Sequence, residues 1–184
     1  VTNHVGVFRL NRIAADGEPV IDTAEFSEDR LYRYLLTRDL RDNPKAPKKA
    51  DFPCLFIMLN PSTADAATND PTIRRCIRFA TDWGCNRLTV VNLFAKRATN
   101  PKNLYGTLFD PIGPENDHFI KTQCIEHVNG IRVAAWGAQE IAQYRGRVVS
   151  RQHNLLCLGT TKNGSPKHPL YVKANASLVP FEYP

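Results

Sequence analysis

Four short stretches of the chain carry side chains suited to chemistry: Asn60-Pro61-Ser62-Thr63, Asn92, Trp136-Gly137, and the loop GTTKNGSPKHPLY with His168. A carboxamide donates and accepts hydrogen bonds at once, so two of them can match the edge of a nucleobase. With a hydroxyl and an imidazole beside them, the set reads as a base-recognition site, provided the fold gathers it. Each residue also has an ordinary use. An Asn before Pro starts turns, and Asn92 at a strand end can bond a neighbouring loop. His168, in a Gly- and Pro-rich segment, can be an exposed bystander, and Trp136 a core aromatic. Asp70 reads as a helix cap, and Asp65 as either a water base or a solvated carboxylate.

The elements that would gather these residues lie between Phe52 and Gly159. CLFIMLN is a short apolar run of the kind buried on both faces, and LTVVNLF, IRVAAW and NLLCLG repeat the pattern. Amphipathic segments separate them. Asp70-Pro71 opens a helix with an apolar stripe of Ile73, Cys76, Ile77 and Ala80, and Gly84 follows its last turn. ENDHFIKTQCIEHVNG spaces Ile120, Cys124 and Val128 by four, and AQEIAQYRGRVVS supplies a third helix. The alternation predicts a three-layer α/β/α core around a four-stranded parallel sheet. In such sheets the ligand crevice lies outside the carboxyl ends of the strands, where all four stretches fall. Residues 1–50 read as a periphery: strands VGVFRLNRIAA and LYRYLLTRDL, a turn-rich ADGEPVIDTAEFSED between them, and a basic loop RDNPKAPKKAD.

The length of 184 residues fits one domain spanning 1–184. No apolar run approaches the ~20 residues of a membrane-crossing helix, and the first dozen residues do not read as a secretory signal, so a cytoplasmic protein is expected. Five cysteines without a CxxC pair speak against a disulfide framework or a zinc knuckle, and no metal or cofactor is expected. The net charge of +6 is segregated. Pro71–Lys102 holds seven basic residues against Asp82, and Arg145 onward holds six against Glu182. Clustered cations suit a polyanion, whose counterions they displace. A solvated basic face explains the same pattern.

LNPSTAD, NDPTIRRCIRFA, LTVVNLFAKRAT, AAWG and SPKHPLY, in that order over residues 31–172, resemble the family called domain of unknown function 1643. More distantly, the chain resembles the uracil-DNA glycosylase superfamily. There, a water-positioning Asp or Asn precedes a proline after the first strand, a base-reading Asn closes the second, a Trp-Gly pair ends the third, and a histidine in an HPSP-type loop follows the fourth. Asn60, Asn92, Trp136-Gly137 and His168 occupy these places. The chain departs from the pattern in having Asn60 rather than a carboxylate, Ser62 after Pro61 rather than a bulky tyrosine, and HPLY for HPSP.

The resemblance implies an N-glycosylase acting on a modified or mispaired base, with nucleic acid, DNA foremost, as partner. Asn60 would orient a water below the sugar, and His168 would donate to the negative charge developing on the leaving base. Asn92 would read the Watson–Crick edge. Pro61, Ser62 and Trp136 would line the base pocket, with Leu170 as a wedge filling the gap left by a flipped nucleotide. Arg74, Arg97, Lys162 and Lys167 would meet phosphates. The alternative is a binding module of the same fold that has lost the chemistry.

Overall fold

The structure is a computed structural model that describes residues 5–14, 17–45, 51–106 and 108–183. Its strands are β1 (Val5–Ile13), β2 (Pro19–Ser27), β3 (Arg33–Asp39), β4 (Pro53–Met58), β5 (Arg87–Asn92), β6 (Ile131–Ala134), β7 (Leu155–Cys157) and β8 (Val179–Phe181). Among the described residues three α-helices, α1 (Pro71–Asp82), α2 (Asn116–Glu126) and α3 (Ala142–Gln152), complete a mixed α/β arrangement. All eight strands join one sheet in the order β1-β2-β3-β5-β4-β6-β7-β8. β4 pairs in parallel with β5 and β6, and β6 with β7. The pairs β1–β2, β2–β3, β3–β5 and β7–β8 are antiparallel.

The expectation of a four-stranded sheet with peripheral N-terminal strands is therefore corrected in extent. The N-terminal strands continue the same sheet beyond β5, and β8 extends its other edge. β2 lies inside the stretch read as turns. Its inward positions are Val20, Asp22, Ala24 and Phe26, all buried. The carboxylate in that series masks the period-two signal. Asp22 is tolerated there because Arg12 Nε, at 3.2 Å, and the Asp39 backbone N–H, at 2.9 Å, both donate to it. Within the basic loop RDNPKAPKKAD, residues 46–50 lie outside the described residues.

β4 is buried at all six positions, and its alternation divides the core. Cys54, Phe56 and Met58 pack with Ile73, Cys76 and Phe79 of α1. Leu55 and Ile57 pack with Ile120 and Cys124 of α2 and Val149 of α3. The helices thus cover opposite faces, which explains why the core strands read as continuous apolar runs. Helix α1 starts as expected, with Asp70 Oδ1 accepting from Ile73 N–H at 2.8 Å. Helix α2 ends at Glu126, short of the predicted span, so Val128 is exposed rather than part of its apolar stripe. All five cysteines are buried and free. Among the described residues, no helix is long and apolar enough to cross a membrane.

Candidate functional site

From the central β4, one connection runs through α1 to β5 on one side. The connection from β6 through α3 runs to β7 on the other. The carboxyl ends of β4 and β6 therefore flank a topological switch point, where an open α/β sheet forms its crevice. A pocket of about 600 Å³ occupies this place. The β4 end contributes Met58, Asn60 and Ser62, β5 contributes Asn92, and the β6 end contributes Trp136 and Gly137. The loop after β7 adds Lys167, His168 and Leu170. Pro61, Arg74, Arg97 and Lys162 are not in its wall.

Asn60 is anchored by its amide nitrogen, which donates to Pro61 O at 3.0 Å and Ala98 O at 2.7 Å. Two carbonyl partners require an NH2 in that position, so the amide orientation is fixed by the bonding and Oδ1 is left as an acceptor at the pocket. Pro61 itself is buried, and its carbonyl also accepts from Ala98 N–H at 2.9 Å, which ties the β4 loop to the segment after β5.

His168 caps a short 3-10 turn, Pro169–Tyr171, with Nδ1 accepting from Leu170 N–H at 3.3 Å. An accepting Nδ1 places the neutral ring's proton on Nε2. Burial pushes the imidazole pKa down, with the Asp70 carboxylate partly opposing, so the ring is neutral near pH 7. Arg75 holds this turn in place: Nε donates to Pro169 O at 3.3 Å and Nη2 to Val172 O at 2.7 Å. Gly137 adopts φ +79°, and a Cβ built there would stand 3.4 Å from His168 Cβ. That distance is ordinary contact, so glycine is favoured at 137 by its left-handed backbone rather than by the nearness of the histidine loop.

Asn92 is 1% exposed, and its Nδ2 is buried without a partner. The backbone at this strand end is held from the other face. Asn116 Nδ2 donates to Asn92 O and Leu93 O, each at 3.0 Å, and the Arg145 guanidinium bonds Leu93 O. Trp136 borders the pocket, but its ring belongs to the core. The indole stacks on Tyr183, meets Phe181 edge-on and lies against Gly146, where a Cβ would come within 2.9 Å of it.

The basic residues divide. Lys162 and Lys167 are exposed on the loop after β7, and exposed Arg74 donates to Asn69 O. Arg97 is half-buried and turned away from the pocket wall: it lies over the Phe26 ring at 5.1 Å and donates to Arg30 O. Asp65 is spent on its own loop, accepting from Ala67 and Thr68 N–H. Those bonds hold its carboxyl below the usual range, against the opposing effect of burial. Leu170 is 42% exposed at the rim beside the more exposed Tyr171.

One residue that sequence reasoning passed over entirely is Arg33 of β3, which is buried and lines the pocket. It and Arg38 clamp the β4 loop, Arg33 Nη1 donating to Ala64 O at 2.7 Å and Arg38 Nε to Asn69 Oδ1 at 2.8 Å. No local signal marks Arg33 as inward, because the register of β2 on β3 shifts between Glu25 and Phe26. Such an irregularity re-aims the residues beside it. Among the described residues, no group of three or more His, Cys, Asp or Glu side chains could hold a metal ion.

Comparison with curated proteins finds no match. Among solved structures, the chain is similar to the hetero-hexameric glutamate dehydrogenase from Thermus thermophilus in its Leu-bound form. That similarity has 13% identity and a TM-score of 0.27, over 81% of this chain and 31% of that one. Superposition that loose carries no argument about either fold or activity. Residues 33–170 match the model of the family described as Protein of unknown function (DUF1643), and the chain belongs to that family.

Proposed function

We propose that the pocket processes a nucleobase within nucleic acid, as an N-glycosylase on a modified or mispaired base, and that the core strands follow the uracil-DNA-glycosylase plan. The observation that carries this reading is the fixed polarity of three groups on one pocket. Asn60 presents an acceptor, and His168, neutral and capped at Nδ1, keeps a donor at Nε2. Asn92 keeps an unpartnered donor.

In the reaction so read, the bond between the sugar C1′ and the base nitrogen breaks first, and its electron pair leaves with the base. His168 Nε2–H donates to the oxygen on which that charge develops. One such donor is worth about two to three powers of ten in rate. Asn60 Oδ1 accepts a hydrogen bond from a water and directs its oxygen to C1′. A carboxamide takes no proton near neutral pH, so the proton of that water passes to solvent or to the departed base. Attack therefore follows bond breaking. Asn92 selects the base through its edge. Exposed Arg74, Lys162 and Lys167 serve the phosphates, and Leu170 fills the space of the flipped nucleotide.

The test is a panel of labelled duplex and single-stranded oligonucleotides, each with one altered base, scored for abasic sites under single-turnover conditions. The expected result is abasic product on at least one base, a loss of about a hundredfold or more in rate for His168→Ala, and blurred base choice for Asn92→Ala. Binding of the panel without cleavage of any member replaces the enzyme by a binding module. An unchanged rate in His168→Ala refutes the mechanism.

A further inference from the structure

Arg33 carries a buried charge that no described carboxylate contacts directly. It is 2% exposed, and it forms no ion pair with any described carboxylate. Among the described residues, the guanidinium's hydrogen bond is the one from Nη1 to Ala64 O, and Nε is buried with no partner. Asp70, also in the pocket wall, and Asp65 attract it from a distance, but Asp70 is engaged in capping α1 and Asp65 in its own loop, and the Arg97 and Arg38 charges oppose them. Burial lowers the guanidinium to about 10, which leaves it charged near neutral pH. A buried, unpaired cation is strongly unfavourable, and removing its partner is what makes buried pairs costly to break.

The other unsatisfied groups on residues of the pocket wall point the same way. Asn92 Nδ2 and Trp136 Nε1 are donors like Arg33 Nε, while the orphaned acceptor Asn116 Oδ1 is not part of that wall. A ligand that satisfies this floor must bring oxygen acceptors and a negative charge. The planar fork of a guanidinium matches a pair of oxygens held in one plane better than a single point charge.

We propose that the pocket selects a nucleobase bearing a negative charge, with its anionic oxygens seated on Arg33 and Asn92. The proposal rests on the base-processing reading above and names the substrate class that this reading leaves open. Two sources supply the same chemistry, a carboxylate substituent on the ring or an ionised ring imide.

Binding of free bases to the full chain separates the possibilities. Affinities for uracil, 5-carboxyuracil, 5-fluorouracil and inorganic phosphate are measured calorimetrically at fixed ionic strength. Near pH 7, 5-carboxyuracil is expected to bind about tenfold or more tighter than uracil, the usual scale of a hydrogen bond to a charged group. If an ionised imide suffices, 5-fluorouracil tightens as rising pH ionises its ring, while uracil does not. Arg33→Gln removes the preference, and Arg33→Lys keeps part of it. Because Arg33 also holds Ala64, the comparison among ligands in the unaltered protein stands alone if Arg33→Gln fails to fold. Equal affinity for uracil and 5-carboxyuracil, with no tightening of 5-fluorouracil as pH rises, overturns the proposal and leaves the base reading intact. Binding of phosphate without any base overturns the base reading and, with it, the proposed substrate.

Discussion

Asn60→Asp restores the carboxylate that the sequence lacks relative to its distant resemblance, yet the structure predicts that it harms the protein. The Asn60 amide nitrogen donates to Pro61 O at 3.0 Å and Ala98 O at 2.7 Å, and an ionised carboxylate has nothing to donate. Two hydrogen bonds of about 1 kcal/mol each disappear, and an anionic oxygen then faces two carbonyl oxygens in a half-buried site. The sum is about 2–4 kcal/mol. Asn60→Ala loses the same bonds without the repulsion, about 1–2 kcal/mol. For a domain of this size 1 kcal/mol moves the melting temperature by roughly 2–4 °C, so the Asp variant melts about 4–16 °C low.

The defect depends on pH with a definite sign. A protonated carboxyl can donate one bond, so folding raises the introduced carboxyl's pKa above its unfolded value of about 3.9. Its stability is then fullest below the unfolded pKa and is lost as pH rises through the folded one. Thermal unfolding of both variants against the unaltered protein, near pH 5 and pH 8, reads this directly. Asn60→Asp should lie below Asn60→Ala at the higher pH and close the gap at the lower. An Asp variant as stable as the unaltered protein near pH 8 refutes the anchored geometry.

Three further perturbations follow from the packing. Arg75→Met removes the two bonds to the Pro169–Val172 turn and should lower turnover in the proposed base excision with little change in global fold; amide exchange should quicken at Leu170 and Tyr171. Gly146→Ala gains about 1 kcal/mol of helix propensity but drives a methyl to 2.9 Å from the Trp136 ring, so a net loss of stability is expected in urea titration. Burial lowers the pKa of His127, His153 and His168. The unfolded chain then binds protons that the native one refuses, and stability should fall as pH drops below about 6.5, levelling once the native rings protonate. Replacing all three by Gln should flatten that part of the stability profile.

The core strands, the start of α1 and the placement of Asn60, Asn92 and His168 around one crevice were legible in the sequence because each depends on a local pattern, whereas α3 begins at Ala142, later than the Ala138 that AQEIAQYRGRVVS suggests. CLFIMLN is apolar throughout because helices cover both of its faces, and Asp70-Pro71 carries its capping geometry within four residues. β2 was hidden because Asp22 sits inward, and only the distant Arg12 and Asp39 make that position tolerable. The cationic floor was hidden for a related reason. Whether Arg33 points inward is decided by a register shift against β2, and what it lacks is visible only when every neighbouring carboxylate has a position. Orientation was decided in the same way: Asn60 is fixed by Ala98, His168 by Arg75, and the Asn92 strand end by Asn116 and Arg145, each partner more than twenty residues away. Spacing along the chain can bring functional groups to one end of a sheet, but hydrogen bonds between distant segments determine which atom of each group faces the pocket.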